Sequence, residues 1–252
     1  MRELLERRVL GAIRWRDAVS DNVINLPLEV SSGTATFTRN LSGLFVITAA
    51  NGLEKYTATF DLNSLAAPDA KPDESIAVTG VVRDPSGRYL PRSFTVKLPR
   101  PATKTVAQSV APLLTPLDIS LLPAPQAQMR IGCASVRVTV RTAVGSALPN
   151  MLVQILASGD NRILGRGMSD PRGEALVAIP RLPLVAAGLT PGQLATTTTE
   201  AKAKFIFPPA DGKTPVDWNA LELNPPGKVI MDGTVLALKA GETLSLNFSA
   251  PP

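Results

Sequence analysis

Apolar and polar residues alternate along much of this chain, which is the pattern of strands that bury one face. Over residues 9–16, the odd-numbered side chains from Val9 to Trp15 fall on one face and the even-numbered side chains from Leu10 to Arg16 fall on the other. The alternation predicts further strands at 24–30, 34–38, 44–48, 55–60, 75–83, 93–98, 135–141, 151–158, 163–168, 174–179, 203–207, 229–231, 235–239 and 244–248.

Turn-forming residues separate these predicted strands. Ser32-Gly33 and Asn51-Gly52 stand between strands in the first half, and Gly159-Asp160-Asn161 stands between two in the second. Glycine adopts positive φ without steric cost, and Asn and Asp side chains hydrogen-bond to nearby backbone, so these residues favour tight turns. The chain is therefore predicted to be all-β, with short antiparallel strands.

A proline-rich stretch divides the chain. Prolines recur between Pro99 and Pro125, and each lacks the N–H that a central strand needs. We expect two β-sandwich domains, at 1–100 and 129–252, joined by a proline-rich linker at 101–128.

The composition removes most enzyme chemistries. The 252 residues include no histidine and one cysteine, Cys133. Without imidazole there is no Ser-His-Asp or Cys-His couple, and one thiol forms neither an intramolecular disulfide nor a CxxC site. Asp84 and Asp170 stand in Asp-Pro-x-Gly sequences, which predict turns rather than a site for a hard cation with its roughly six to eight oxygen ligands. We expect no catalytic residue, no bound metal and no cofactor.

Charge and hydropathy do not indicate a nucleic-acid or membrane partner. The net charge is +5, but basic residues are spread along the chain, and 4% aromatic content leaves few rings for base stacking. The N-terminal residues carry too many charges for a signal peptide, and the longest apolar stretches fall far short of the roughly 20 residues that span a bilayer. We expect a cytoplasmic protein that does not cross a membrane.

One turn carries a cluster suited to a protein interface. Arg83, Arg88 and Arg92 flank Tyr89-Leu90-Pro91. Exposed Arg and Tyr side chains are enriched where proteins bind one another, so Arg83, Arg88, Tyr89 and Arg92 are the candidate interface residues. A solvated turn is the alternative.

The chain contains an internal repeat with a constant offset of 58 residues. Each copy reads as a strand, a turn with glycine, and a Leu-Pro pair that precedes the next strand. The matching positions are Val78, Val82, Arg83, Gly87, Leu90 and Pro91 in the first copy, and Val136, Val140, Arg141, Gly145, Leu148 and Pro149 in the second.

The second copy continues into a pattern that resembles carboxypeptidase regulatory-like domains. It runs through Val153-x-Ile155 to Ser169-Asp170-x-x-Gly173, followed by alternating Ala and Val. The resemblance covers residues 136–179 and implies a transthyretin-like, seven-stranded sandwich without peptidase activity. It also implies that Ser169-Asp170-x-x-Gly173 is an inter-strand turn, in which Asp170 accepts backbone N–H groups and Gly173 has positive φ.

The N-terminal half resembles β-rich proteins encoded with contractile injection systems, which are phage-tail-like particles. The resemblance lies in Arg39-Asn-Leu-Ser-Gly43-Leu-Phe-Val, in Tyr56-x-x-x-Phe60-Asp61 and in the stretch from Arg83 to Arg92. It implies a cap or cap-adaptor subunit at the end of the sheath and inner tube, with sheath, tube and cap proteins as partners. It also implies a ring oligomer that matches their six-fold symmetry.

These observations together predict a non-catalytic structural subunit of a contractile injection particle. The alternative is a β-sandwich ligand-binding or adhesion module at a cell surface. The absence of a signal peptide and of disulfides argues against that alternative, and few Trp and Tyr residues disfavour sugar stacking.

Overall fold

The computed structural model describes residues 9–53, 75–98, 115–128, 132–182, 198–208, 214–225 and 227–251. The described part of the chain is nearly all β, with 51% strand and 3% helix, as the alternating pattern predicts. The described strands are β1 (Gly11–Asp17), β2 (Glu29–Ser31), β3 (Ala35–Arg39), β4 (Phe45–Ala50), β5 (Ile76–Arg83), β6 (Arg92–Leu98), β7 (Leu117–Leu121), β8 (Ala134–Arg141), β9 (Leu152–Ala157), β10 (Ile163–Met168), β11 (Glu174–Ile179), β12 (Thr199–Ile206), β13 (Val229–Met231), β14 (Leu236–Leu238) and β15 (Thr243–Ser249), and the described helix is α1 (Trp218–Leu223).

The chain groups into two compact units. Unit 1 comprises Met1–Arg16, Asn22–Pro85 and Ser93–Ser120, and unit 2 comprises Asp17–Asp21, Ser86–Arg92 and Leu121–Pro252. No helix in the described part of the chain is long and apolar enough to span a membrane.

Unit 1 contains two sheets, with strand orders β3-β4-β1-β7 and β2-β5-β6. The inward face of β1 carries Gly11, Ile13 and Trp15, as the alternation predicts. Val9, predicted on the same face, lies ahead of the strand and is 56% exposed. The Trp15 ring meets Phe94 of β6 edge to face, with centroids 5.3 Å apart, so an aromatic core joins the two sheets.

Unit 2 also contains two sheets. One has the order β10-β9-β12-β13, with β14 also paired to β12, and the other has the order β11-β8-β15. Val136 of β8 and Val153 of β9 are fully buried in one shared cluster. Across the same core, the rings of Phe205 and Phe248 stack with centroids 3.8 Å apart. The two sheets therefore form a sandwich whose core is filled from both inner faces.

The two copies of the repeat share their elements but not their pairing. In both, a strand leads to a glycine with positive φ, at +68° for Gly87 and +85° for Gly145, and then to a Leu-Pro pair. In the first copy, β5 and β6 are neighbours in one sheet, whereas β8 and β9 lie in different sheets. Asn150 follows the second Leu-Pro pair with a φ of +60°, a left-handed conformation that Asn tolerates and that redirects the chain before β9.

The predicted turn at Asp170 is confirmed. Its Oδ1 accepts the backbone N–H groups of Arg172 and Glu174, at 2.9 and 3.1 Å. Gly173 has a φ of +76°, which is the left-handed region. The turn joins β10 to β11, as the resemblance to regulatory-like domains implies.

The linker prediction is wrong over 117–121. This segment forms β7, an edge strand next to β1 in unit 1. Its neighbours Pro116 and Pro123 lie outside the strand, so neither removes a ladder hydrogen bond from it. Arg14 Nη2 of β1 donates to Asp118 Oδ2 of β7 at 2.9 Å, which fixes the two strands side by side.

Two further predicted strands and a helix remain to be compared with the described structure. The strand predicted at 24–30 is restricted to β2, because Ile24 makes one backbone hydrogen bond, to Trp15 O, and a bend follows at Leu26. The strand predicted at 55–60 lies outside the described residues. The alternation also failed to reveal helix α1, since six residues are too few to establish a helical period.

Gly165 provides a test of the packing between β10 and β11. A Cβ at Gly165 would lie 2.5 Å from the carbonyl oxygen of Ala178, a backbone atom that cannot rotate away. Gly165→Ala is therefore expected to lower the free energy of unfolding by about 2–3 kcal/mol, as overpacking does in tight cores. Urea denaturation followed by circular dichroism measures the loss.

Gly159→Ala is the matched control. A Cβ at Gly159 meets nothing within 4 Å, so this variant should match the wild type to within about 0.5 kcal/mol. Equal stability of the two variants would show that β10 and β11 are not packed at this distance.

Candidate functional site

The four candidate interface residues occupy different environments. Arg83 is exposed at the end of β5 in unit 1, whereas Arg88, Tyr89 and Arg92 belong to unit 2. Arg88 is exposed, Tyr89 is half-buried, and Arg92 is only 6% exposed. Their role at an interface stays a prediction, but Arg92 is not part of an exposed cluster.

A polar cavity of about 530 Å³ in unit 2 contains two of these residues. Its lining includes Arg88 and Tyr89, together with Asp17, Gln126 and Gln128. We call it the Tyr89 cavity. Its polar walls and open form suit a solvated recognition surface better than an enclosed apolar ligand site.

The backbone that forms one wall of the Tyr89 cavity is held by a short ladder. Leu90 N donates to Leu122 O at 3.0 Å, and Ala124 N donates to Arg88 O at 2.8 Å. Gln126 Nε2 reaches back to the carbonyl of Gly87 at 2.9 Å. The segment that carries Arg88 and Tyr89 is therefore fixed by unit 2 itself.

Asp17 is the carboxylate of the Tyr89 cavity, and its oxygens are already engaged. Tyr89 Oη donates to Asp17 Oδ2 at 2.8 Å. The N–H groups of Val19 and Ser20 both donate to Oδ1, each at 2.8 Å. Burial alone would raise the pKa of Asp17, but these hydrogen bonds, that from the Ser20 backbone foremost, outweigh it and hold the pKa below its usual value. Asp17 therefore stays ionised and holds the Tyr89 hydroxyl group. With its oxygens occupied and its pKa lowered, Asp17 is poorly suited to general-base catalysis.

Arg92 stabilises the interior of unit 2. Its Nη2 donates to Asp217 Oδ1 at 2.7 Å, and its guanidinium lies 4.7 Å from the centroid of the Trp218 ring. Burial is the largest influence and lowers the pKa of Arg92, while the Asp217 carboxylate acts in the opposite direction. A buried guanidinium in this position needs both partners, since an uncompensated charge in the interior is costly.

Helix α1 supplies those partners and is itself anchored at both ends. Asp217 caps its N-terminus by accepting the N–H of Asn219. Near the other end, Glu222 accepts from the Arg166 guanidinium through both oxygens and from Gln154 Nε2. Sequence reasoning missed this set, although the Asp cap and the Asn224-Pro225 stop are a recognisable helix signal.

A further candidate nucleophile is Cys133. Its thiol is half-buried just ahead of β8, less enclosed than its apolar sequence context suggests. In the described part of the chain, no three Cys, Asp or Glu side chains converge as metal ligands would. The arrangement offers hydrogen-bonding and charged surface, with the carboxylates Asp17, Asp217 and Glu222 occupied by structural partners.

Comparisons with known proteins identify no family. No protein-family model matches the chain, and no curated protein matches it. Among solved structures, the TIE protein of Bacillus anthracis is 11% identical with a TM-score of 0.26, over 96% of this chain and 33% of that one, so the chain spans about a third of its length. The minor pilin of Streptococcus agalactiae is 8% identical with a TM-score of 0.26, over 98% of this chain and 85% of that chain.

A basal pilin of Lactobacillus rhamnosus GG is a further neighbour, 12% identical with a TM-score of 0.20 over 92% of each chain. Likenesses of this size assign neither a family nor a function to the chain.

The hydrogen bond between Tyr89 and Asp17 predicts a pH-dependent stability difference. Tyr89→Phe removes one bond to the carboxylate and should lower the free energy of unfolding by about 1 kcal/mol at neutral pH. The ionised Asp17 stabilises the folded state above its unfolded pKa of about 3.9, and this contribution is lost as pH falls through the lower folded-state pKa. The difference between variant and wild type should therefore shrink below about pH 4.

Denaturation curves at pH 7 and pH 3 measure this difference. In an Asp17→Asn background the Tyr89→Phe effect should be the same at both pH values, because no carboxylate titrates there. A difference that persists unchanged at pH 3 in the native background would exclude Asp17 as the group responsible.

The pair of Arg92 and Asp217 predicts an asymmetry between its two partners. Asp217→Asn preserves the helix cap but removes a carboxylate that pairs with a buried cation, so we expect the free energy of unfolding to fall by about 3 kcal/mol. Arg92→Met keeps most of the side-chain packing, and Asp217, which is 23% exposed, stays in contact with water. The free energy of unfolding should therefore fall less in this variant than in Asp217→Asn. Thermal and urea denaturation rank the two variants.

Asp160→Asn is the control for this pair. Asp160 contacts Arg162 in an exposed ion pair, with 64% and 71% of the two side chains exposed, and also caps a turn that Asn can cap. Asp160→Asn should lower the free energy of unfolding by at most about 0.5 kcal/mol. A larger loss from Arg92→Met than from Asp217→Asn would contradict the account of a buried cation.

Proposed function

We propose that this protein is a non-catalytic structural subunit that works by docking onto other protein subunits. The observation that carries the proposal is that its carboxylate side chains bind structural partners within the chain. Asp17, Asp217 and Glu222 each hold a neighbouring segment of the chain in place through short hydrogen bonds. Catalysis needs a nucleophile, a base and an orienting group directed at one point, and the described residues direct these groups at one another instead.

At the finer level, we propose a cap or cap-adaptor subunit of a phage-tail-like contractile injection particle. Support comes from the N-terminal resemblance, which includes the segment from Arg83 to Arg92. Arg83 and Arg88 are exposed, which meets the first requirement of a docking residue. The sheath, inner tube and cap proteins would be the partners, with the subunit acting in the cytoplasm as part of the assembled particle.

The second candidate is a binding or adhesion module at a cell surface. Extended β-sandwich proteins are suited to this role because their loops and edges present surface without needing a reactive site. Two of the solved structures above are pilins, which are proteins of this second class. Their TM-scores are too low to decide between the two candidate functions. The two candidates place the protein in different compartments, so one experiment separates them.

To test the particle assignment, contractile particles are purified from the native host, in which this chain carries an affinity tag. We expect the chain to sediment with sheath and tube proteins and to appear at a constant ratio to them in quantitative mass spectrometry. The double variant Arg83→Glu, Arg88→Glu should lose most of this association, because charge reversal at each docking residue repels the partner.

Arg162→Glu is the matched control, since Arg162 is 71% exposed and lies in a turn outside the candidate set. It should stay with the particles. Absence of the wild-type chain from purified particles would overturn the particle assignment. Protease sensitivity of the chain on intact cells would instead support the surface module.

A further inference from the structure

Strand β15 presents an open sheet edge in unit 2. It lies at one side of the sheet β11-β8-β15, and among the described residues no strand pairs with its outer side. It is seven residues long, from Thr243 to Ser249, and pairs in parallel with β8 along its whole length. An edge of this length exposes a full row of backbone donors and acceptors.

The residues whose backbone faces outward follow from the ladder. Ser135 N donates to Glu242 O at one end, and Ala250 N donates to Arg141 O at the other. In a parallel pair, alternate residues direct both their N–H and C=O groups to the same neighbour, so the even-numbered residues of β15 bond to β8. The odd-numbered residues direct their backbone groups away from β8. They are Thr243, Ser245, Asn247 and Ser249.

The side chains divide in the same way. Those of the four odd-numbered residues are exposed, whereas Leu246 and Phe248 are buried and Leu244 is half-buried against the core. No residue from Thr243 to the C-terminal Pro252 carries a side-chain charge. Native edge strands are usually protected by Lys, Pro, bulges, short length or a covering element. In the part of the chain that the structure describes, β15 has none of these along its length.

The other described edges each carry such protection. β3 has a register irregularity between Thr36 and Phe37 and ends in Arg39. β2, β13 and β14 are three residues long, β6 has the exposed Lys97 and β7 has Asp118. β10 has a register irregularity between Ile163 and Gly165, and its Gly165 lies close against the backbone of β11 at Ala178. The contrast marks β15 as an edge that is left available for pairing.

We propose that β15 pairs with β15 of a second copy of this chain, antiparallel and centred on Leu246. In this register the outward backbone groups of Ser245 face those of Asn247 in the second copy, and Thr243 faces Ser249. Each such pair exchanges two backbone hydrogen bonds. The sheets of the two copies then form one continuous sheet across a two-fold axis.

The side chains favour this register and favour a second copy of β15 as the pairing strand. On the exposed face, hydroxyl groups meet hydroxyl and amide groups, which are favourable cross-strand pairs. On the inner face, Leu244 lies opposite Phe248 of the second copy, so the half-buried Leu244 gains apolar cover. Glu242 lies opposite Ala250, so the two-fold arrangement brings no like charges together. The proposal concerns self-association and does not depend on the particle assignment.

Sedimentation velocity of the purified full chain tests the pairing. The wild type should sediment as a species of twice the 26.6 kDa chain mass at high micromolar concentration. Ser245→Pro removes an N–H that points away from β8, so it should yield a folded monomer. Ser245→Lys keeps that N–H but adds a charge to the edge, and should weaken the dimer at least tenfold.

Ser146→Lys is the matched control, because Ser146 is exposed in the turn after β8. It should remain a dimer. A wild type that sediments as a monomer, or a dimer that Ser245→Lys leaves unchanged, would overturn the proposal. A ring of more than two copies that survives Ser245→Lys would overturn it as well.

The register has its own test in a Cys133→Ser background. Ser245→Cys and Asn247→Cys chains, mixed and oxidised, should form a covalent heterodimer, because opposite residues of such a pair have Cα atoms about 5.5 Å apart. Either chain alone should cross-link several-fold less, since residue 245 is not opposite itself. Equal cross-linking in the mixture and in the separate chains would exclude the register centred on Leu246.

Discussion

Burial of alternate side chains between facing sheets is the interaction on which the rest of this structure depends. In unit 2 it is concentrated on β8, whose inward valines are enclosed by β9 while its edges pair with β11 and β15. Because strand side chains alternate with a period of two, a slip of one residue in β8 would exchange its buried and exposed faces. The close approach of β10 to β11, the turn at Asp170 and the outward row of β15 all follow from this register.

Charged groups have a secondary role, which is to fix elements that the sandwich alone does not hold. Helix α1 contributes Trp218 and Leu221 to an apolar cluster, but its position is set by Asp217 with Arg92 and by Glu222 with Arg166. Such pairs contribute more to defining one arrangement than to net stability, since desolvation offsets much of their attraction. In the described part of the chain, these pairs form ordered ionic sites without histidine.

Local pattern predicted most of the strands, and the features that it missed depend on distant residues. The predicted strands at 163–168, 174–179 and 229–231 agree with the structure residue for residue, because each is a short stretch of mainly apolar residues between Gly, Pro or Asp turn residues. The burial of Arg92 was not predictable from its neighbours, since its partner Asp217 is 125 positions away. The crossing from β8 to the opposite sheet depends on the left-handed Asn150, a conformation that sequence alone does not specify.

The contrast between the protected edge strands and the unprotected β15 connects the fold to the proposed self-association. Where proteins associate through sheet edges, the backbone groups at the edge provide affinity and the alternating side chains select the partner. Charges, bulges and short strands limit pairing at the other described edges, so association is directed to β15. Its inward residues are required by the core, whereas its outward residues are uncharged over the whole strand. The two faces of one strand therefore separate the requirement for folding from the requirement for association.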